Sequence, residues 1–213
     1  MSTGAYVFDA YGTLYDVHSV LQRCEAFFPG RGAELSKLWR AKQLEYTWQR
    51  SLMERYAPFS TVTREALAYA CEALGLELTA ERMEALMGEY LMLTPYPEVA
   101  RALGALRGRR LAILSNGSPD LLEPLVEHSG LPLDPVLSVD PERRYKPSPA
   151  VYALAVEALG TRDITFVSSN CWDALGAKAF GFRVVWVNRA GAPLDRLGAA
   201  PDRIVRTLDE VLL

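Results

Sequence analysis

Apolar positions along the chain follow two patterns. In one, short unbroken apolar runs stop at polar residues and glycine: Ala5-Tyr6-Val7-Phe8 before Asp9, Leu111-Ala112-Ile113-Leu114 before Ser115-Asn116-Gly117, Val136-Leu137 before Ser138, and Ile164-Thr165-Phe166-Val167 before Ser168-Ser169. Val184 to Val187 forms a fifth such run. Runs this short and continuous predict strands buried on both faces. In the other, apolar residues recur at helical spacing. Val17, Val20, Leu21, Cys24, Phe27 and Phe28 predict a helix over 17–28, which Pro29-Gly30 ends. A long helix follows over about 33–56, then one that Thr63 would cap, then one opening at Thr79 and running through Tyr90. Residues 17–92 thus predict helices and no strand.

Beyond residue 92 the two patterns alternate, with helices at 97–107, 120–130, 149–159 and 173–180 between the later strands. Alternation of this kind predicts an α/β fold with a mostly parallel sheet covered on both faces. The all-helical block interrupts it after the first strand. It reads as an insertion over 17–92 in a core made of 1–16 and 93–213.

Parallel strands bring their C-terminal ends to one edge of a sheet, where open α/β folds keep their ligands. That edge would collect Asp9 from the first strand, Ser115 and Asn116 from the second, and Ser168, Ser169, Asn170 and Asp173 from the fourth. Lys146, alone among turn-forming residues in Arg144-Tyr145-Lys146-Pro147-Ser148-Pro149, precedes a helix that starts on the same side. On residues alone, Asp9 is a nucleophile, a metal ligand or a buried structural partner.

Composition narrows the field slightly. With 213 residues, half of them apolar and under a quarter charged, the chain supports one good core, with or without a smaller appendage. A net charge of −3 gives no reason to expect nucleic acid or an anionic membrane as partner. There is no apolar run of membrane-spanning length and no visible signal peptide. Three widely spaced cysteines, Cys24, Cys71 and Cys171, cannot all pair and point to a reducing cytoplasm. Two histidines, His18 and His128, offer no basis for a Cys/His zinc site.

Four segments together resemble the motifs of the haloacid dehalogenase superfamily: Asp9-Ala10-Tyr11-Gly12-Thr13-Leu14, Leu114-Ser115-Asn116-Gly117, Tyr145-Lys146-Pro147, and Ser168-Ser169-Asn170-Cys171-Trp172-Asp173. The resemblance implies a Rossmann-like three-layer parallel sheet core, with 17–92 as a helical cap subdomain. Phosphatases of that superfamily carry a second Asp two residues after the nucleophile, and acidic residues in the fourth motif that help hold magnesium. Here those positions read Tyr11 and Ser-Ser-Asn. Phosphoryl transfer would be left with its charge poorly compensated, so a phosphatase is disfavoured. The motifs, with the stretch Leu38-Trp39-Arg40-Ala41-Lys42-Gln43-Leu44-Glu45-Tyr46-Thr47-Trp48, are instead similar to the L-2-haloacid dehalogenase branch.

That resemblance implies metal-independent hydrolysis of short (S)-2-haloalkanoic acids to (R)-2-hydroxy acids, without a cofactor. Asp9 would displace halide from the α-carbon with inversion, forming an ester that water then cleaves. Lys146 would keep Asp9 ionised and offset the repulsion of an anionic substrate. Asp173, surrounded by Lys146, Ser168 and Asn170, would activate the water, and Thr13 would orient Asp9. Ser115, Lys146 and the backbone amides of Tyr11 and Gly12 or Asn116 would bind the substrate carboxylate. Arg40 and Asn116 would receive the halide between walls of Tyr11, Leu44, Phe59 and Trp172. Whether Arg40 takes halide or carboxylate stays open. Tyr152 would hydrogen-bond within the site, and a homodimer is the expected assembly. Three rival readings are a related hydrolase opening azetidine-2-carboxylate, a promiscuous phosphatase, and a catalytically idle binding protein.

Overall fold

The structure, a computed structural model, describes residues 4–211; residues 1–3 and 212–213 of the expected core lie outside the described residues. Six strands form one sheet: β1 (Ala5–Phe8), β2 (Leu111–Ser115), β3 (Val136–Ser138), β4 (Ile164–Ser168), β5 (Arg183–Val187) and β6 (Arg203–Val205). Their order is β3-β2-β1-β4-β5-β6, and every pairing is parallel. All five residues of β2 and of β4 are buried, as strands covered on both faces must be. The chain runs outward from β1 to β2 and β3, then crosses back to β4 on the other side of β1. The crevice beyond the ends of β1 and β4 is therefore the topological switch point of the sheet, and Asp9 stands in it.

Helices α1 (Leu21–Phe27), α2 (Gly32–Leu52), α3 (Phe59–Ala73) and α4 (Ala80–Glu89) come between β1 and α5 (Val99–Ala105). The later helices are α6 (Pro119–Ser129), α7 (Pro149–Leu159) and α8 (Cys171–Phe180). In the helical block α2 packs on α1 and α3, and α4 packs on the same two. The two linkers to this block run side by side: Asp16 N donates to Thr94 O at 2.8 Å and Tyr96 N to Leu14 O at 3.0 Å. An aromatic seam joins block and sheet, with Tyr11 5.3 Å from Phe59 and 6.1 Å from Tyr90, and Tyr90 5.1 Å from Trp39. Tyr56 Oη donates to Asp140 Oδ1 at 2.6 Å and Tyr145 Oη to Ala57 O at 2.5 Å across the same seam.

Four local expectations change. The first helix starts at Leu21 rather than 17, because the Asp16 carboxylate accepts the His18 N–H at 2.9 Å and stabilises a turn there. Helix α2 stops at Leu52 rather than 56: Glu54 takes a left-handed φ of 55° and Arg55 N closes back on Arg50 O at 2.9 Å. Thr63 is no cap. Helix α3 begins at Phe59 after Pro58, and the buried Thr63 hydroxyl donates to Phe59 O at 2.7 Å one turn back. The edge strand β6, three residues with only Val205 buried, has too short an apolar run to predict.

Candidate active site

Asp9 follows the last residue of β1, its N–H bonded to Val167 O of β4 at 3.0 Å. Asp9 is 5 % exposed, and both carboxylate oxygens accept hydrogen bonds. Oδ1 accepts from Lys146 Nζ at 3.0 Å; Oδ2 accepts from the Thr13 hydroxyl and from Asn170 Nδ2, each at 2.8 Å. Lys146, 1 % exposed, reaches equally to Asp173 Oδ2 at 3.0 Å, so one ammonium bridges two buried carboxylates. Tyr152 completes the line by donating to Asp173 Oδ1 at 2.8 Å.

The electrostatics of this line are those of a desolvated cluster with one cation for two anions. Burial pushes the Asp173 carboxyl up to about 6; the neighbouring Lys146 charge opposes the shift and Asp9 adds to it. Burial alone would pull the Lys146 ammonium down, but the Asp173 and Asp9 carboxylates outweigh it and leave it above its ordinary value. Burial and the Asp173 charge hold the Tyr152 hydroxyl well above its ordinary value, so it serves as a donor.

The turn after β1 explains how Thr13 comes to face Asp9. Gly12 takes a φ of 87°, a conformation that favours glycine, and this bends the chain so that the N–H groups of Thr13, Leu14 and Tyr15 converge on Ala10 O. The Thr13 oxygen accepts the Ser169 N–H at 2.9 Å, which leaves its proton for Asp9. Ser169, whose side chain also donates to Gly12 O, is a positioning residue whose role no pattern in the sequence reveals. One assigned role needs correcting here. The Gly12 N–H is spent on Tyr15 O at 2.7 Å, so Gly12 shapes the turn and is no donor to substrate. The Ser168 hydroxyl accepts from Asn170 N at 3.2 Å at the start of α8. The Asn170 side chain faces Asp9, while its carbonyl accepts the Asp173 N–H at 3.1 Å.

At the end of β2, Ser115 Oγ accepts from Gly117 N at 3.0 Å, and Asn116 Oδ1 accepts from Lys146 N at 3.0 Å. The Ser115 proton and the Asn116 amide nitrogen are what these residues can offer a ligand. From the helical block, Arg40 on α2 is held by a buried relay invisible in the sequence pattern. Its Nη1 donates to Gln43 Oε1 at 2.5 Å, Gln43 Nε2 to Thr63 Oγ1 at 2.7 Å, and Thr63 to Phe59 O. The Arg40 charge acts on Tyr11, whose buried hydroxyl has no hydrogen-bond partner among the described residues and whose ring lies against Gly117 and Phe59. Leu44 lies one turn beyond Arg40 and is half-buried. Trp172 is also half-buried and meets Trp48 of α2 edge-to-face at 5.4 Å.

The donor set around Asp9 does not fit a divalent cation. Asn170 Nδ2 sits 2.8 Å from Asp9 Oδ2 and 3.1 Å from Tyr11 O, so a hydrogen-bond donor uses the lone pairs a hard cation would need. Among the described residues, no group of three or more His, Cys, Asp or Glu side chains is arranged to hold a metal.

A family model described as haloacid dehalogenase-like hydrolase matches residues 3–181. The chain is 52 % identical over 211 residues to an (S)-2-haloacid dehalogenase of Pseudomonas sp. (strain YL), covering 96 % of this chain and 91 % of the relative. Among solved structures, the L-2-haloacid dehalogenase RSc1362 superposes with a TM-score of 0.95 at 48 % identity, covering 100 % of this chain and 98 % of that one. The L-2-haloacid dehalogenase from Xanthobacter autotrophicus with chloropropionic acid covalently bound superposes with a TM-score of 0.92 at 44 % identity, over 98 % and 96 % of the two chains. By motif, fold and identity over nearly its whole length, this chain belongs to the haloacid dehalogenase-like hydrolase family, on its (S)-2-haloacid dehalogenase branch.

Proposed function

We propose that this chain hydrolyses short (S)-2-haloalkanoic acids to (R)-2-hydroxy acids through an ester on Asp9, without a metal. The observation that carries this reading is the company Asp9 keeps: an ammonium, a hydroxyl and an amide donate to it, and Tyr11 stands where a phosphatase acid would be. Donors of this kind fix the direction in which a carboxylate points. The relatives named above for haloacids, one bearing covalently bound chloropropionic acid, support the same chemistry.

In the first step an Asp9 oxygen bonds to C2 while the carbon–halogen bond breaks, the electron pair leaving on the halide. Backside attack from the sheet sends the halide toward the helical block. Arg40, on that block, is then its counter-ion, with Tyr11, Asn116, Leu44, Phe59 and Trp172 around it. The substrate carboxylate faces Ser115 and Lys146 on the sheet side. In the second step water adds to the Asp9 ester carbonyl and gives its proton to Asp173, whose raised pKa of about 6 suits a base near neutrality. Collapse of the adduct breaks the ester C–O bond and returns Asp9, and the departing alkoxide takes the proton back from Asp173 to leave as the hydroxy acid with inverted configuration.

Residues 17–92 act as the cap in this reading, hinged on the paired linkers, over a core of 1–16 and 93–213. Among the described residues no helix is long and apolar enough to cross a membrane, and Cys24, Cys71 and Cys171 are free thiols, which supports a reducing, cytoplasmic setting. We place the protein there as a homodimer; sedimentation of the purified chain tests the second point. The decisive assay is chloride release from the two enantiomers of 2-chloropropionate in EDTA. Only the (S) form is turned over, and Asp9→Asn abolishes it while leaving the circular dichroism unchanged. Turnover by Asp9→Asn, or activity that requires added magnesium, overturns the reading.

A further inference from the structure

Arg189, two residues past the end of β5, takes no part in the chemistry above, yet its guanidinium grips the nucleophile turn. Nη1 donates to Gly12 O at 3.1 Å and Nη2 to Thr13 O at 2.9 Å. The same group pairs with Glu98 Oε1 through Nε at 3.0 Å and Nη2 at 2.8 Å, and lies 3.9 Å from the centre of the Tyr96 ring. Only 22 % of the Arg189 side chain and 13 % of the Glu98 side chain is exposed. A planar fork meeting three acceptors and a ring in one pose is a built contact, unlike a lone surface ion pair.

What it grips bears on Asp9. The two peptides whose oxygens Arg189 holds carry the N–H groups of Thr13 and Leu14, and both donate to Ala10 O, at 3.2 and 2.9 Å. One end of each peptide is thus tied to the guanidinium and the other to the residue that follows Asp9. Thr13 in turn donates its hydroxyl proton to Asp9 Oδ2. Glu98 and Tyr96 belong to the linker that returns from the helical block, where Tyr96 N also bonds Leu14 O. Arg189 therefore joins the nucleophile turn, that linker and the end of β5.

We propose that Arg189 is a positioning residue for Asp9: it fixes the turn at 10–14, and through Thr13 the angle at which the carboxylate meets carbon. The proposal rests on Asp9 being the nucleophile. In-line displacement is sensitive to such geometry, and a misplacement of about 1 Å can cost on the order of 100-fold in rate. Most groups proposed to bind substrate, Ser115, Asn116, Lys146 and Arg40, lie outside this turn, so binding changes little.

The test is rapid-quench measurement of the first-turnover halide burst from (S)-2-chloropropionate in wild type, Arg189→Ala, Arg189→Lys and Glu98→Gln. Wild-type halide release, measured alongside, tests the underlying reading separately. Arg189→Ala slows the burst about 10- to 100-fold, with the substrate concentration that half-saturates the burst rate within about 3-fold of wild type. Arg189→Lys, which can keep the ion pair but cannot span two carbonyls as well, is slowed nearly as much at an almost unchanged melting temperature. Free guanidinium ion at millimolar concentration restores part of the Arg189→Ala rate, a rescue that a purely structural role does not allow. Glu98→Gln keeps the carbonyl contacts and most of the rate. A wild-type burst rate in Arg189→Lys, or a loss confined to the substrate concentration that half-saturates the burst, overturns the proposal; if Arg189→Ala does not fold, Arg189→Lys decides.

Discussion

Replacing Tyr152 by Phe removes one oxygen and keeps the ring, which packs 5.6 Å from Phe166 and 5.8 Å from Phe180. The lost group donates to Asp173 Oδ1 at 2.8 Å, and this bond is among the forces that lower the pKa of a carboxyl already pushed up to about 6 by burial. Hydrogen bonds to charged groups are worth about 1.5–3 kcal/mol, and one pKa unit corresponds to about 1.4 kcal/mol, so the shift is roughly 1–2 units upward. The sign follows from the proposed role of Asp173 as a base. It works ionised, so activity is present above its pKa and lost below. At pH 7 wild type keeps roughly nine-tenths of Asp173 ionised, whereas the variant has about one-half to nine-tenths of it protonated.

The assay is the pH profile of kcat on (S)-2-chloropropionate from pH 5 to 10, with intact-protein mass spectrometry on quenched samples. The acid limb, which belongs to the Asp9–Lys146–Asp173 cluster as a whole, moves to higher pH. At pH 6 the ester on Asp9 accumulates in the variant, and near pH 9 turnover approaches wild type. Gly176→Ala reaches the same result by another route. Its Cβ would lie 2.6 Å from Tyr152 Oη and 2.5 Å from Pro147 Cβ, so the tyrosine must leave Asp173. An acid limb that stays put or moves downward in Tyr152→Phe, or loss of the halide burst in place of ester accumulation, refutes the assignment of Asp173 as base.

Gly117→Ala would set a Cβ 2.8 Å from the Tyr11 ring and 2.9 Å from its hydroxyl; overpacking of this kind costs about 1–3 kcal/mol, read as a lower Tm, and the displaced ring raises KM. Gln43→Leu strips Arg40 of its acceptor and leaves the buried Thr63 without its donor. The expected outcome is about 1–3 kcal/mol of lost stability in urea titration and a slower halide burst. Asn170→Asp places a third carboxylate beside Asp9 Oδ2 and Tyr11 O, so dehalogenation collapses; magnesium then raises the melting temperature of the variant and not of wild type, as differential scanning fluorimetry will show.

The sheet and its active edge were legible because parallel strands leave a strong trace. Strands β2 and β4 are buried along their whole length, so they read as unbroken apolar runs, and the polar residues that stop those runs are the ones the fold gathers around Asp9. What stayed hidden depends on partners distant in sequence. Thr63 has the composition of a helix cap, but burial against Gln43 turns its hydroxyl to other uses. Gly12 could have offered an N–H to substrate had Tyr15 O not claimed it. Ser168 and Asn170 are neighbours in one motif, yet the first serves the backbone of α8 and the second serves Asp9. Strand-end chemistry can be read from a single sequence; which acceptor each donor finds cannot.

The charge arithmetic of the site explains why one residue, two places after the nucleophile, separates carbon chemistry from phosphorus chemistry on this fold. Asp9, Asp173 and Lys146 together carry −1 in a buried cluster, and a haloacid adds another −1 when it enters. A second acid at position 11 would add a third unit beside Asp9, bearable only with a divalent cation close by. Tyr11 adds no charge and pairs with Asn170, whose amide uses the Tyr11 carbonyl and the Asp9 oxygen that a cation would require. In the proposed mechanism the positive charge for the departing halide comes from the other side of the cleft, from Arg40 on α2, fixed by Gln43 and Thr63. Placing the cation opposite the nucleophile rather than beside it suits displacement at carbon, where negative charge leaves along the line of attack. A metal beside Asp9 would instead draw off the electron pair that Asp9 must donate.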